Sequence, residues 1–302
     1  MVATKQKAPA WTVARPDRNV IDVRMQVTDR KKWRQSFLLT ADRHHDNPHT
    51  DQDLERRHLD EAVERGAGVL DFGDLFCAMQ GRYDPRRSNM DNVRPEHKNG
   101  RYLDALVDTS VEFYSPYAKN WILSGRGNHE QSVLRNNESD LLERFAAGMN
   151  ANGGGMLVGG YGGWVRFIAK RDRTTATLVL RYFHGSGGGG PVTKGSIGRQ
   201  RQRSMFEGYD VYITGHIHQA EYEEDEREYL TRGGYRAIRR VYQLCTPTYK
   251  DEWGDGSEGW HVERGAGPRP LGGWWMDLEW VEEQKDGRST ARLVPTFTRT
   301  RQ

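Results

Sequence analysis

Up to about Thr214, short apolar runs alternate with stretches whose apolar residues recur at helical spacing. The run "SFLLT" at 36–40 predicts a buried strand, and "DLERRHLDEAVERG" at 53–66 predicts a helix that ends at glycine. The run "GVLDFGD" at 68–74 predicts the next strand. Together these elements form a predicted βαβ unit, which is typical of a parallel sheet.

The pattern continues with a helix at 100–114 and a strand at 120–125, and it becomes rich in strands after Thr214. Further elements are predicted as strands at 164–170, 177–185, 209–219, 235–249, 272–283 and 289–299, and as a short helix at 194–208. The chain of 302 residues has the length of one large α/β or two-sheet domain.

We expect residues 1–34 to be an N-terminal extension, with the first thirty or so among the most flexible. A single domain is expected at 35–302, with its strand-rich part at about 220–302.

The composition excludes several classes of protein. Hydrophobic residues make up 35%, charged residues 29%, and the mean hydropathy is −0.87. No run approaches the roughly 20 apolar residues that a transmembrane helix requires, and no signal peptide is recognisable. We therefore expect no membrane partner and a cytoplasmic location, with Cys77 and Cys245 as buried, reduced thiols. The net charge of +3 gives no strong signal for a polyanionic partner.

Polar side chains follow each apolar run at the point where a strand is predicted to end. They are Asp42 and His44, Asp74, Asn128 and His129, His184, and finally His216 and His218. Strand ends of this kind form ligand crevices in α/β proteins. The i, i+2 spacing in the first and last pairs would direct both side chains to the same side of an extended chain.

Mixed oxygen and imidazole ligands suit Mn, Fe, Zn or Ni, whereas Ca takes oxygen ligands. Any one of these pairs alone is a weak signal, since an isolated His at a strand end is more often a hydrogen-bonded structural residue. The ordered set is much more specific.

In order, the motifs D-x-H, G-D, G-N-H-E, H and G-H-x-H between Asp42 and His218 resemble those of the calcineurin-like metallophosphoesterase superfamily. The resemblance implies an α/β (α+β) fold, in which a two-sheet β-sandwich is flanked by helices. It also implies two divalent metal ions, with Mn first and Fe, Zn or Ni as alternatives. The implied ligands are Asp42, His44 and His218 for one ion, Asn128, His184 and His216 for the other, and Asp74 as the bridge.

The implied activity is hydrolysis of a phosphate ester through attack by a metal-bound hydroxide. His129 would act on the substrate, either stabilising the transition state or protonating the leaving oxygen. Glu130 would lie outside the metal ligands and orient the ring of His129.

The substrate class follows from finer features of the resemblance. "GDLF" at 73–76 resembles the diesterase and DNA-repair nuclease branches, whereas the remaining motifs of the Ser/Thr protein phosphatases are not matched. The chain is also similar to uncharacterised bacteriophage-encoded members, which would place it in the host cytoplasm. We expect a phosphate-ester substrate, with DNA and RNA as candidates. Candidate substrate contacts are Arg82, Arg86 and Arg87 in "GRYDPRRS", together with Arg126.

Several alternatives stay open. The enzyme could be a phosphomonoesterase, or the chain could be a metal-free scaffold like the retromer subunit of this superfamily, although that subunit lacks the catalytic His. Cys77 occupies the last position of the family's G-D-x-x-D motif, so one carboxylate outside the metal ligands is missing. His45 and Asp46 are outer partners of the site, substrate contacts or loop residues. The oligomeric state is open as well.

Overall fold

A computed structural model of the chain describes residues 9–80, 93–190, 192–254, 256–257, 260–263, 265–285 and 288–301. Within these residues the protein is mixed α/β, with two mixed sheets and six α-helices. The helices are α1 (Gln52–Arg65), α2 (Tyr102–Tyr114), α3 (Asn128–Asn137), α4 (Leu141–Ala151), α5 (Ser196–Arg203) and α6 (Trp260–Glu263).

In the described part of the chain, the larger sheet has seven strands and the smaller has six. In spatial order, the larger consists of β1 (Trp11–Asp17), β2 (Val20–Gln26), β7 (Gly162–Arg171), β8 (Thr174–Phe183), β9 (Val211–Thr214), β11 (Arg236–Cys245) and β10 (Glu221–Leu230). The smaller consists of β13 (Arg288–Arg299), β12 (Trp274–Lys285), β3 (Arg34–Thr40), β4 (Gly68–Asp71), β5 (Trp121–Ser124) and β6 (Leu157–Val158).

Both sheets contain neighbouring parallel strands. In the smaller sheet, β3, β4, β5 and β6 are parallel, β12 pairs antiparallel with β3, and β13 pairs antiparallel with β12. In the larger sheet, β8, β9 and β11 are parallel neighbours. The predicted βαβ unit is confirmed as β3, α1 and β4.

The two sheets share one hydrophobic core. Phe37 of β3 and Phe167 of β7 meet there with ring centroids 4.7 Å apart, and both side chains are fully buried. On the other face of the smaller sheet, α1, α2 and α4 bury Leu59, Leu106 and Phe145. The coarse expectation of two sheets and flanking helices is therefore confirmed.

The expectation of a flexible extension at the N-terminus is wrong for residues 11–26. They form β1 and β2, and β2 pairs in parallel with β7 along its whole length. The alternation in "VIDVRMQ" explains the pairing, because Ile21, Val23 and Met25 enter the common core. No helix in the described part of the chain is long and apolar enough to span a membrane.

Candidate metal centre

The residues that were predicted as metal ligands meet at one edge of the fold. Asp42 and His44 follow β3, Asp74 follows β4, and Asn128 follows β5, so four of them come from the smaller sheet. The larger sheet contributes His184 after β8, and His216 and His218 after β9. The cluster therefore lies where the carboxyl ends of parallel strands from both sheets meet.

Backbone hydrogen bonds hold the loops of this cluster together. The N–H of Asp42 donates to the carbonyl of Gly73 at 2.8 Å, and that of His44 donates to the carbonyl of Asp74 at 3.0 Å. The hydroxyl of Thr248 donates to the carbonyl of Asp42 at 2.7 Å. The loops that follow β3 and β4 are thus fixed side by side.

Asp42, His44 and His218 form the first group, which we call the inner first position. Their ligand atoms all lie within 4.8 Å of one another. Nε2 of His218 is 3.3 Å from Nε2 of His44 and 3.5 Å from Oδ1 of Asp42. Two imidazoles and a carboxylate thus converge on a space that a transition-metal ion would fit.

Asp74, His184 and His216 form the second group, again with ligand atoms within 4.8 Å of one another. Asn128 joins it, because its Oδ1 is 3.2 Å from Nε2 of His184 and 2.7 Å from Nδ1 of His216. Nδ1 of His184 lies 3.1 Å from the carbonyl of Phe72, to which its N–H can donate, so Nε2 is the ring atom directed into the cluster. Such a hydrogen bond is common behind metal-ligating histidines.

The backbone at the ligands is not extended, so the expected geometry of the two i, i+2 pairs is wrong. Positive φ angles occur at Asp42 (54°), His44 (47°), Asp74 (57°), His216 (72°) and His218 (53°). This left-handed region is uncommon for residues other than glycine, although Asp and His are enriched there. Tight turns, rather than alternation along a strand, bring these side chains together.

Two glycines allow the close approach of these loops. A Cβ on Gly73, whose φ is 114°, would lie 2.6 Å from Nδ1 of His184. A Cβ on Gly127 would collide with the carboxylate of Asp74. Larger residues at either position would displace a candidate ligand.

The cluster has the electrostatics of a cation site. Asp74 is buried, which alone would raise its pKa, but the surrounding imidazoles of His184 and His129 hold its pKa well below its usual range. For His184, burial lowers the pKa, but the charge and hydrogen bond of Asp74 outweigh it and raise the pKa to about 10. Buried carboxylates among several imidazoles are a ready environment for metal ions.

His129 lies beside Asp74 at the first turn of α3. Its backbone N–H donates to Oδ1 of Asp74 at 2.9 Å, and its Nε2 is 3.7 Å from Oδ2 of the same carboxylate. Nδ1 of the ring contacts the carbonyl of Cys77. Because a carbonyl only accepts hydrogen bonds, Nδ1 carries a proton and Nε2 is the atom turned toward the cluster.

Glu130 was expected to orient the ring of His129, but the structure gives its carboxylate other partners. Its carboxylate accepts hydrogen bonds from the backbone N–H groups of Gly127 at 2.9 Å, Phe76 at 2.9 Å and Asp74 at 3.2 Å. Burial and the neighbouring charge of Asp74 raise the pKa of Glu130 to about 8. Glu130 thus joins the start of α3 to the loop that carries Asp74.

His45 and Asp46, whose roles the sequence leaves undecided, contact other parts of the protein. His45 contacts the Glu55 carboxylate at 2.7 Å, and Asp46 accepts from the N–H groups of Cys77 and Ala78 at 2.6 and 2.9 Å. Cys77 is buried, and burial raises the pKa of its thiol to about 12, as expected of an inert thiol. Asp46 thereby supports the loop around Cys77.

Sequence reasoning missed the role of Arg43, which lies between two candidate ligands. Its fully buried guanidinium pairs with Glu55 and Asp71, both at 3.1 Å. It also lies 4.9 Å from the centre of the Tyr249 ring. Arg43 therefore ties the ligand loop to α1 and β4; no motif distinguishes such a residue from a solvent-exposed arginine.

The predicted substrate contacts are only partly described. Arg82, Arg86 and Arg87 lie outside the described residues. The guanidinium of Arg126 forms two hydrogen bonds with Asp140, at 3.1 and 2.7 Å, at the start of α4. This pairing accounts for the position of Arg126, and its contact with substrate stays a prediction.

Two further residues lie close to the cluster, and no sequence motif indicates them. Glu252, after β11, and His261, on α6, lie beside His218, and the ligand atoms of all three are within 4.8 Å of one another. Neither residue belongs to any of the motifs between Asp42 and His218. No spacing rule could have found this group, because its three members come from separate parts of the sequence.

Comparison with protein-family models and with curated protein sequences finds no match to this chain.

Proposed function

We propose that this protein is a dinuclear metal-dependent phosphoesterase with the sandwich fold of the calcineurin-like metallophosphoesterases. The observation that carries the proposal is the convergence of seven candidate ligands from two sheets into two adjacent groups. Asp74 belongs to the second group, and we assign it the bridging role that the family resemblance implies. Metal-free scaffolds have no need for such a set of buried imidazoles and carboxylates.

The donor set fits two divalent transition ions, with Mn as our first choice and Fe, Zn or Ni as alternatives. Ions bound there would neutralise phosphate oxygens and activate a water molecule for in-line attack on phosphorus. Asn128 supplies a neutral oxygen, which limits the negative charge that the substrate meets. The carbonyl of Phe72 holds the ring of His184 in the orientation needed for ligation.

His129 is assigned to the substrate rather than to the metal ions. Its Nδ1–H is directed to the carbonyl of Cys77, which leaves Nε2 on the side of Asp74 and the cluster. When both ring nitrogens are protonated, His129 can donate from Nε2 a hydrogen bond to the phosphoryl group or a proton to the leaving oxygen. The short first turn of α3 fixes its backbone against Asp74.

We propose a phosphodiester, in nucleic acid or a nucleotide, as the substrate. This choice rests on "GDLF" at 73–76, on the absence of the other protein-phosphatase motifs, and on Arg82, Arg86 and Arg87 a few residues beyond Asp74. Arginines are common contacts to a nucleic-acid backbone.

The test is turnover of a bis-aryl phosphodiester, an aryl phosphate monoester, and single- and double-stranded DNA. EDTA should abolish hydrolysis and added Mn²⁺ should restore it. Full activity in a sample shown to be free of metal would refute the dinuclear site. Hydrolysis of monoesters alone would refute the diesterase assignment, and a purified protein without stoichiometric metal or turnover would favour a scaffold.

A further inference from the structure

His218 of the inner first position also belongs to a second set of candidate ligands beside it. His218 comes from the loop after β9, Glu252 from the loop after β11, and His261 from α6. Their ligand atoms lie within 4.8 Å of one another. Oε2 of Glu252 is 3.3 Å from Nε2 of His261, and the rings of His261 and His218 have centroids 6.4 Å apart.

The donor set defines the class of ion. Two imidazoles and one carboxylate make up the protein ligands of many zinc sites, and they also suit Mn, Fe and Co. Ca²⁺ and Mg²⁺ prefer oxygen ligands and would gain little from the two rings. The group therefore suits a divalent transition ion, the same class that the inner positions suit.

His218 belongs to both sets, and this limits how they can be filled. Its Nε2 faces Asp42 and His44, as the distances of 3.5 and 3.3 Å show. A neutral imidazole has one nitrogen with a lone pair for a metal ion, while the other carries a proton. Repulsion between cations a few ångströms apart adds to this restriction. The ring therefore serves one ion at a time.

We propose that His218, Glu252 and His261 form an outer position for a divalent transition ion, which alternates with the inner first position. The proposal deepens the assignment of a metal site and rests on it.

Burial and charge make the outer position a transient one. The side chains of His218 and Glu252 keep 15% and 14% of their surface exposed, whereas those of Asp42 and His184 are fully buried. The ammonium group of Lys250 pairs with Glu252 and competes with an ion for the carboxylate. An ion arriving from solvent would bind weakly here and then pass to the more carboxylate-rich inner cluster.

The experiment follows uptake of Co²⁺ by metal-free protein, using the visible absorption of the bound ion in a stopped-flow instrument. The key variant is His261→Gln, which removes one ligand nitrogen and leaves the pair of Lys250 and Glu252 intact. Glu252→Gln is the second variant. The control is Glu282→Gln, because Glu282 is similarly buried, at 13% exposure, and is also ion-paired, with Arg30 and Arg171. It lies on β12 beyond the amino end of β3, far from the cluster.

We expect both variants to bind as many ions at equilibrium as the wild type, but to take them up about tenfold or more slowly, the lower end of what charged binding clefts contribute to association rates. The control should load at the wild-type rate. Uptake by His261→Gln at the wild-type rate would overturn the proposal. So would a weaker equilibrium affinity in His261→Gln, since His261 would then act by supporting the inner site.

Binding of three ions per chain in the wild type would also overturn the alternation. A wild type that binds no Co²⁺ would end both this inference and the proposed function. A wild type that loads Co²⁺ but hydrolyses no phosphate ester would end the proposed function alone, and the uptake comparison would still decide the outer position.

Discussion

His129 and Asp74 are joined through both backbone and side chain: the N–H of His129 donates to Oδ1 of Asp74 at 2.9 Å, while its Nε2 lies 3.7 Å from Oδ2. A residue proposed to act on substrate is thereby positioned by a residue proposed to hold both metal ions. The two roles can be separated by mutation.

Replacing His129 with Ala should reduce turnover by ~10²–10⁴-fold, the usual scale of general acid–base catalysis, without loss of metal. The measurements are kcat and bound metal per chain. His97→Ala is the control, since His97 is another histidine of low exposure but bonds to Thr109 of α2, away from the cluster. Unchanged turnover would remove the catalytic role, and loss of an ion would make His129 a ligand instead.

Asp74→Asn should weaken metal binding in both groups at once, because the assigned bridge loses its charge. We expect turnover to fall with the metal content. The matched control is Asp22→Asn, which removes another fully buried carboxylate, one that pairs with Arg24 and Arg166 in the larger sheet. Two ions and normal turnover in Asp74→Asn would contradict the bridging role.

Metal affinity should increase with pH between about pH 7 and 10. In the metal-free protein, burial lowers the pKa of His184, but the charge and hydrogen bond of Asp74 outweigh burial and raise the pKa to about 10. The ring is therefore protonated at neutral pH. A metal ion needs the neutral ring and must displace that proton, so affinity should rise by about tenfold per pH unit for one proton released. Calorimetry in two buffers of different ionisation enthalpy measures the release; a pH-independent affinity would speak against His184 as a ligand.

Glu130→Ala should destabilise the fold as well as the site. Three backbone N–H groups, of Asp74, Phe76 and Gly127, would lose their acceptor, and each buried group left unsatisfied costs about 1–3 kcal/mol. Denaturant unfolding of the metal-free protein measures the loss. The control is Glu112→Ala on the exposed side of α2, and equal stability of the two variants would show that these bonds contribute little.

Replacing Arg82, Arg86 and Arg87 together with Ala should weaken binding of DNA or RNA and make it less sensitive to salt. Each lost phosphate contact lowers the slope of log affinity against log salt by about one. Hydrolysis of a small aryl diester serves as the internal control and should survive. An equal loss of kcat/KM for the nucleic acid and the aryl diester would mean that the segment supports the active site. No loss for either would mean that these arginines do not contact substrate.

Much of the fold could be read from hydrophobic periodicity, because each strand of the cluster is a short apolar run followed by a polar residue. β1 and β2 were overlooked, since an alternating pattern such as "VIDVRMQ" indicates a strand but not the sheet it joins. The start of α3 at Asn128 was also missed, because glycines and polar residues there predict a turn.

By itself, the sequence determined which residues end the strands and the chemistry of their side chains, since residue type and local spacing are properties of the chain alone. The resemblance implied that His184, His216 and Asp74 share one site. Only the tertiary structure decided that Glu130 binds backbone groups instead of His129, and that His261 and Glu252 reach His218. The physical reason is that these contacts depend on how two sheets pack and on left-handed turns at the ligands. Neither leaves a periodic pattern in the sequence.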